Sequence, residues 1–395
     1  MSDSTKIDHT VVMKPGSRTA SGFNRTVAIA PHRPRGTAAD NRTTSGRNET
    51  VVHGRKEDVE DIVHGVDINP YISLILDATS HLESELDPVD AKYAMLTEFA
   101  EGGTATVSIA RDRNLRRLVA VKSLKKDAED MPAQLSTFVT EAKVTAQLDH
   151  PGIIPIYGLF RDKENGIHLV MKLVDGKTLR EYLKNLTVNF RVRGIGSFNE
   201  KILLRKRLEI FLRVCDTIAY AHHRNVIHRD LKPENIMIGK FMEVFVMDWG
   251  IAKVISDDEK PQPPNSVISG TPRYFPPEVL RGKPLDRRSD IFTLGLILQE
   301  IVTLQYAVSG NDDQECIDHI LNGQLEPIVH LFNRKIHKSI QAIIRKATAY
   351  ELEDRYQTVD DFAEDIRRFM GGLSISARPD TLWDKLLRVL SGHHW

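Results

Sequence analysis

Residues 226–235, which read Val-Ile-His-Arg-Asp-Leu-Lys-Pro-Glu-Asn, place three chemically different groups within one short stretch. The Asp230 carboxylate can accept a proton from a hydroxyl, and the Lys232 ammonium can neutralise a phosphate. The Asn235 amide offers an oxygen ligand to a cation. Thirteen residues after Asn235, Asp248 opens an Asp-Trp-Gly turn. A base near a nucleophile and two oxygen ligands for Mg²⁺ form the set that phosphoryl transfer requires.

The order His-Arg-Asp-x-x-x-x-Asn followed by Asp-x-Gly resembles the catalytic core of eukaryotic-type (Hanks-type) serine/threonine protein kinases. Eight consecutive positions, 228–235, match that core in register. The sequence as a whole looks most like the bacterial members of that family. The resemblance covers residues 93–370. It implies an α+β class and a two-lobed protein kinase fold, with a β-rich N-lobe carrying one helix and a mostly helical C-lobe.

A stretch that resembles a kinase glycine-rich loop, residues 99–107, departs from the family pattern Gly-x-Gly-x-x-Gly-x-Val. Only Gly102 stands at a glycine position, whereas Ala100 and Ala105 occupy the other two. Such loops bring backbone N–H groups close to phosphates, and glycine removes the side chain in the way. An alanine methyl is therefore expected to loosen this approach without closing it.

The elements that follow resemble the remaining ATP-binding parts of the family. Lys122 ends an apolar strand similar to Val-Ala-Ile-Lys, and Glu141 lies on the amphipathic helix predicted over 132–148. The resemblance implies that Glu141 orients Lys122 on the α- and β-phosphates, and that Met171 guards the adenine pocket beside a hinge at 172–174.

The resemblance thus implies ATP and Mg²⁺ as cofactors and protein Ser or Thr side chains as substrates. The implied catalytic residues are Asp230, Lys232, Lys122 and Glu141. The implied nucleotide-binding residues are Leu96, Ala100, Gly102, Val107, Ala120, Lys122, Met171, Leu173, Asn235 and Asp248, of which Asn235 and Asp248 hold the metal.

Contacts outside the cleft are also implied by the resemblance. Asp290 is expected to hold the backbone of residues 228–235, Arg355 to pair with Glu278, and Thr271 to lie near Asp230 and Lys232.

Residues 185–200 depart from the family pattern, and their Arg and Gly content predicts a surface loop. Candidate phosphorylation sites on the polar stretch 251–269 are Ser266 and Ser269.

Composition restricts the partners. Lys plus Arg and Asp plus Glu both number 54, so the net charge is zero and nothing global favours nucleic acid. No apolar stretch is long enough to span a bilayer, and no signal peptide opens the sequence. The two cysteines, Cys215 and Cys316, are expected to be reduced thiols, which indicates a cytoplasmic protein.

The chain divides into four predicted parts: a disordered basic tail (1–65), a leader segment (66–92), the kinase domain (93–370) and a C-terminal tail with an amphipathic helix (371–395). Residues 1–56 contain ten Lys or Arg and four acids. A Thr-Val pair recurs there at 10–11, 26–27 and 50–51, either by chance in a linker or as phosphorylation sites that recruit phosphothreonine-binding partners.

Two other classes of function stay open from the sequence. The altered glycine-rich loop is compatible with a pseudokinase, a binding module that uses the fold without chemistry. The basic tail and terminal helix are compatible with a signalling adaptor whose kinase serves mainly to phosphorylate itself.

Overall fold

The computed structural model describes residues 92–254, apart from 130 and 165, and residues 270–379. The N-lobe is built on a five-stranded antiparallel sheet with the strand order β1-β2-β3-β5-β4. Its strands are β1 (Tyr93–Glu101), β2 (Ala105–Asp112), β3 (Arg117–Leu124), β4 (Ile156–Arg161) and β5 (Ile167–Lys172).

The side chains of β3 alternate between the two faces of this sheet and contribute to the apolar cluster on each face. Val119 and Val121 are fully buried on one face, together with Val170 of β5. The opposite face packs against α2 (Pro132–Gln147), which follows the short α1 (Lys126–Glu129) and contributes Phe138. Because side chains alternate along a strand, Lys122 points to the face that carries α2.

The C-lobe is mostly helical, and its central helix is α6 (Arg287–Thr303), whose side chains are almost all buried. Its helices are α3 (Leu179–Arg193), α4 (Glu200–His223), α5 (Pro277–Leu280), α6 (Arg287–Thr303), α7 (Asp313–Leu321), α8 (Lys338–Ala347) and α9 (Val359–Met370). The α+β class and the two-lobed kinase fold predicted from the sequence are confirmed.

Two small sheets set the positions of the loops between the lobes. One has the order β6-β8-β9, formed by β6 (Gly176–Thr178), β8 (Ile236–Gly239) and β9 (Val244–Val246). The other pairs β7 (Val226–Ile227) with β10 (Lys253–Val254). Residues 228–235 therefore directly follow β7, and residues 247–250 directly follow β9. Each of these two strands is hydrogen-bonded to a neighbouring strand.

The loop predicted for residues 185–200 is wrong for residues 185–193, because α3 continues to Arg193, whereas residues 194–199 do connect α3 to α4. The apolar side chains Leu179, Leu183, Leu186 and Phe190 recur at helical spacing and are all buried. A capping box between Thr178 and Glu181 fixes the start of the helix. The Arg and Gly content that favoured a loop marks only the end of the helix, at Gly194 with φ +75°.

The segment after α9, residues 373–379, returns to the C-lobe. Ile375 is buried in the main core. The Asp365 carboxylate accepts hydrogen bonds from Ser376 N at 2.7 Å, Ser376 Oγ at 2.8 Å, Ala377 N at 2.9 Å and Tyr356 Oη at 2.7 Å. This segment is called the C-terminal strap below.

Several predictions fall outside the described residues: the basic tail with its Thr-Val pairs, the leader up to residue 91, Ser266, Ser269 and the helix predicted near the C-terminus. Among the residues that the structure does describe, no helix has both the length and the hydropathy needed to cross a bilayer. Cys215 and Cys316 are both buried and free.

Candidate active site

The loop at residues 228–235, called the catalytic loop here, is fixed from below by Asp290 on α6. The Asp290 carboxylate accepts hydrogen bonds from the backbone N–H groups of His228 at 2.9 Å and Arg229 at 3.0 Å. It also contacts His222 Nε2 at 2.7 Å. Arg229 adopts φ +71°, a conformation that needs such external support. The expected contact between Asp290 and the loop backbone is present.

Asp230, Lys232, Asn235 and Thr271 form one hydrogen-bonded cluster. Lys232 Nζ lies 2.8 Å from Asp230 Oδ2 and 3.1 Å from Thr271 Oγ1. Asn235 Nδ2 donates to the Asp230 carbonyl oxygen at 2.8 Å and to Asp230 Oδ2 at 3.1 Å. The three loop side chains are buried, so their mutual positions are set by one another rather than by solvent.

Lys122 and Glu141 meet on the other side of the cleft. Lys122 Nζ donates to both Glu141 carboxylate oxygens, at 2.7 and 2.6 Å. Asp248 Oδ1 lies 3.9 Å from the same nitrogen. The strand lysine, the helix glutamate and the carboxylate of the Asp-Trp-Gly turn are therefore brought together, although 126 positions separate Lys122 from Asp248 in the sequence.

Asp248 takes an unusual backbone conformation, with φ +63°. Trp249 fixes the turn: it is fully buried, its Nε1 donates to the Val246 carbonyl oxygen at 3.3 Å, and its ring lies 4.5 Å from that of His228. Tryptophan thus fills the place where the family usually has phenylalanine and adds a hydrogen bond. It couples the Asp248 turn directly to the catalytic loop.

The two site carboxylates have opposite pKa shifts. Burial raises the pKa of the Asp230 carboxyl above its ordinary value, although the charge of Lys232 opposes the rise. Burial also acts on Asp248, but the charges of Lys122 and Lys232 outweigh it and lower the pKa of that carboxyl. Such a separation suits one carboxylate to proton transfer and the other to binding a cation.

The positive charge of Lys122 is retained. Burial disfavours the ammonium, but Glu141 and Asp248 outweigh that effect and raise the pKa of Lys122. For His228, burial is the larger influence and lowers the pKa of the imidazole despite nearby carboxylates. A neutral His228 is consistent with a packing role under the loop rather than with acid–base chemistry.

Most of the nucleotide-binding residues expected from the sequence lie on the N-lobe strands or directly after them, and their contact with a nucleotide stays a prediction. Ala100 pairs with Val107 across the β1–β2 hairpin, and Gly102 N donates to the Ala105 carbonyl oxygen at 2.8 Å. Ala120 pairs with Met171 across β3 and β5. Leu173 follows β5 in the connection to β6. Leu96 lies at an irregularity in β1, is 57% exposed and stays a prediction.

Met237 is a residue of β8 that the sequence reasoning did not consider. Its neighbours in β8, Ile236 and Ile238, are buried in the C-lobe core, whereas Met237 is partly exposed. Alternation therefore turns Met237 to the other face of the small sheet.

The residues present fit Mg²⁺ and a nucleotide. Because Asn235 Nδ2 is engaged by Asp230, the amide oxygen is left as the ligand atom. Met247 N donates to the Asn235 carbonyl oxygen at 2.8 Å, which places the next residue, Asp248, beside Asn235. Both groups offer the oxygen donors that Mg²⁺ prefers. At the hairpin tip, a Cβ on Gly103 would meet nothing within 4 Å, so this position faces open space.

A second cluster that the sequence reasoning missed joins α3 to the catalytic loop. Arg180 donates to Glu234 at 2.7 Å and to Glu300 at 2.8 Å, and also contacts the hydroxyl of Tyr274. Tyr274 in turn donates to Glu300 at 2.8 Å. Since 120 positions separate Arg180 from Glu300, no local pattern in the sequence could have paired them.

The stretch that resembles the end of an activation segment, residues 270–278, is held close to Asp230. Gly270 has φ +135°, and a Cβ there would lie 2.6 Å from the Phe275 ring and 3.2 Å from Asp230 Oδ1, so only glycine fits. Glu278 forms the expected buried pair with Arg355, with N–O distances of 2.9 and 2.8 Å.

Comparisons with known proteins agree with this geometry. The family model described as the protein kinase domain matches residues 93–370. The serine/threonine-protein kinase PknD of Protochlamydia amoebophila is 31% identical over 328 residues, covering 76% of this chain and 33% of that protein. PknD of Chlamydia abortus is 31% identical over 297 residues, covering 71% of this chain and 31% of that protein.

A probable serine/threonine-protein kinase of Streptomyces coelicolor is 31% identical over 290 residues, which cover 72% of this chain and 41% of that protein. The chain thus spans about a third of the length of the two PknD relatives. The family model itself covers well over half of this chain, from the first strand of the N-lobe to the last helix of the C-lobe. The chain therefore belongs to the protein kinase domain family.

Proposed function

We propose that this chain transfers the γ-phosphoryl group of ATP to Ser or Thr hydroxyls of proteins, its own chain among them, as part of signal transduction. The observation that carries the proposal is the cluster in which Lys232 lies within 3.1 Å of both Asp230 and Thr271. That cluster stands across the cleft from the pair formed by Lys122 and Glu141.

Each residue has a task that follows from its surroundings. Asp230, whose pKa is raised, orients the substrate hydroxyl and accepts its proton. Lys232 neutralises charge on the γ-phosphate, and Lys122, oriented by Glu141, holds the α- and β-phosphates. Asn235 and Asp248 would hold Mg²⁺, which when bound neutralises the charge on the phosphates. Most of the catalysis comes from positioning and electrostatics.

Ser or Thr substrates are preferred over Tyr for two reasons. Lys232 bonds to Thr271, and this Lys with a Gly-Thr pair resembles the pattern of serine/threonine kinases. The relatives described above are also named serine/threonine-protein kinases. The phosphothreonine-binding partners of the Thr-Val tail and the cytoplasmic location remain proposals. Mapping of phosphothreonine after incubation with ATP tests the first of these.

The deciding experiment compares incorporation of ³²P from [γ-³²P]ATP and Mg²⁺ into wild type, Asp230→Asn and Asp318→Asn. Asp318 is an exposed carboxylate on α7 that accepts a hydrogen bond from Gln314. An asparagine oxygen can accept the same bond, so Asp318→Asn controls for the effect of the substitution itself. We expect labelling in wild type and the control, and its loss in Asp230→Asn. Equal labelling in all three would contradict the assigned base.

The alternative of a pseudokinase rests on Ala100 and Ala105 at two glycine positions. It predicts that wild type binds ATP, measured by equilibrium dialysis, and yet is not labelled and labels no added protein. In that case the activity proposed here is wrong, and restoring Gly at both positions would show whether the loop is the cause.

A further inference from the structure

The helices α3 and α4 carry a concentration of positive charge on either side of the connection between them. Residues 182–208 contain seven Lys or Arg and a single acid, Glu200. Glu200 pairs with Arg207, which is fully buried. The remaining six cations are exposed, and we call them with their apolar neighbours the basic helix surface: Lys184, Arg191, Arg193, Lys201, Arg205 and Lys206.

The apolar part of this surface is also exposed. Val188, Val192 and Ile202 are 54%, 77% and 52% exposed. On α3, positions 184, 188, 191 and 192 lie on one helical face, and on α4 positions 201, 202, 205 and 206 do the same. The connection of six residues between the helices keeps their ends close, and the rings of Phe190 and Phe198 lie 5.1 Å apart across it.

Exposed valine and isoleucine between cations suit a ligand that is both acidic and apolar. Of the six cations, Arg205 has a surface ion pair with Glu209 at 3.1 Å, in a geometry that contributes little in water. Glu181 and Glu209 directly flank the stretch 182–208, which itself holds seven cations and one acid. Positive charge therefore exceeds negative charge along this part of the two helices.

The sequence itself contains a segment with the opposite character. Residues 57–91, called the acidic segment here, hold ten Asp or Glu and no Lys or Arg. Apolar residues are interleaved with these acids, among them Ile62, Ile68, Ile72, Leu76 and Leu82. Charge and hydropathy thus complement the basic helix surface in both respects.

We propose that the acidic segment docks, within its own chain, on the basic helix surface. The segment ends next to Lys92, which precedes β1 of the N-lobe. Its 35 residues can span up to about 115 Å when extended, while a domain of this size has a radius of gyration of roughly 19 Å. Reach is not limiting, and attachment to the same chain gives a high effective concentration.

Two other pairings of these charged regions are less favourable. Residues 1–56 of the basic tail could instead pair with the acidic segment, but they spread ten cations and four acids over a longer stretch, so their charge is less dense than that of the basic helix surface. An anionic membrane would accept the cations and the exposed valines, but it would leave the acidic segment unpaired on the same molecule. The intramolecular partner satisfies both charged regions at once.

The test is zero-length carbodiimide cross-linking of the full chain, followed by mass spectrometry of the linked peptides. This reagent joins carboxylates to amines only in direct contact. We expect links from residues 57–91 to Lys184, Lys201 and Lys206, which disappear at 1 M salt, where the screening length falls to about 3 Å. Mixing isotope-labelled and unlabelled chains should show links within one chain.

Matched variants separate the surface from general charge effects. Arg191→Glu with Arg193→Glu should abolish the links while leaving the three reporter lysines in place. Arg111→Glu with Arg113→Glu makes the same charge change at the same spacing on the N-lobe and should leave the links intact. If the first pair misfolds, Lys201→Glu, which adds an acid in the first turn of α4 where the helix dipole favours it, should weaken the remaining links.

Three results would overturn the proposal. Links from the acidic segment mainly to Lys6, Lys14 and Lys56 would assign it to the basic tail. Links spread equally to Lys126 and Lys283, or found mainly between isotopically different chains, would mean that no specific intramolecular site exists. Co-sedimentation with phosphatidylserine vesicles that is lost in Arg191→Glu with Arg193→Glu, without links to the acidic segment, would assign the surface to a membrane.

Discussion

The catalytic loop and the hairpin loop at residues 99–107 belong to opposite lobes and are held in different ways. In the catalytic loop, Asp230, Lys232 and Asn235 are buried and bonded to one another, and Asp290 holds the backbone beneath them. The hairpin tip is largely exposed. It is held by two backbone hydrogen bonds, at 2.8 and 2.9 Å, and by an ion pair from Glu101 to Lys125 at 2.7 Å.

The difference indicates where sequence change is tolerated. A buried, charged loop fails when one partner is removed, because the others are left without compensation. An exposed hairpin bonded mainly through its backbone can exchange side chains at lower cost. Of the two departures from the family pattern, Ala100 is exposed in this hairpin, whereas Ala105 is buried in the N-lobe core. All three charged or polar positions of the catalytic loop are retained.

The strongest way to test this contrast is Asp290→Ala. It leaves two backbone N–H groups and His222 without their acceptor, so we expect a loss of about 3–5 kcal/mol in the free energy of unfolding and no detectable labelling by ATP. Urea denaturation measures the first, with Asp318→Ala on the surface as the control. An unchanged unfolding midpoint would mean that the catalytic loop does not depend on this support.

The pH dependence of the reaction should report the buried base. Asp230 must be ionised to accept a proton, and its pKa is raised, so kcat/KM should fall as the pH decreases through a value above that of an ordinary aspartate. Lys232 lowers that pKa, so Lys232→Met should move the acidic limb to higher pH and reduce kcat by about 100-fold.

The control for this profile is Lys126→Met, which removes an exposed N-lobe charge and should leave the curve unchanged. An acidic limb at the same pH in wild type and Lys232→Met would contradict the assignment of that limb to Asp230. The comparison uses residual activity, so it requires saturating Mg²⁺ in all three proteins.

The smallest effect is expected in the hairpin. Ala100→Gly removes one methyl group from the approach to the phosphates and should lower KM for ATP by about two- to fivefold, equivalent to 0.5–1 kcal/mol, with little change in stability. Ala94→Gly in the same strand serves as the control. An effect on unfolding as large as that of Asp290→Ala would remove the contrast between the two loops.

Much of the site could be predicted because its residues stand in short motifs with fixed spacing. Asp230, Lys232 and Asn235 lie within six positions, and family resemblance paired Lys122 with Glu141 and Glu278 with Arg355. Contacts without such a motif were missed. The cluster of Arg180 with Glu234, Glu300 and Tyr274 joins residues from four separate parts of the chain, and no local pattern encodes their relative positions.

The error in α3 has a different cause. The composition of residues 185–200 was read as a whole, and the Arg and Gly near its end favoured a loop. The burial of Leu186 and Phe190 depends on a helical period that starts earlier, at Leu179, outside the stretch under consideration. Periodicity read across the boundary would have predicted the helix to Arg193.

The C-terminal strap affects where this domain can be cut. The match to the protein kinase family ends at residue 370, but Asp365 on α9 receives three of its four hydrogen bonds from Ser376 and Ala377. Ile375 also fills a place in the main core. A fragment ending at residue 370 would leave a hole beside α9 and a carboxylate bonded by Tyr356 alone. The folding unit therefore extends to about residue 379, beyond the residue at which the match to the family model ends.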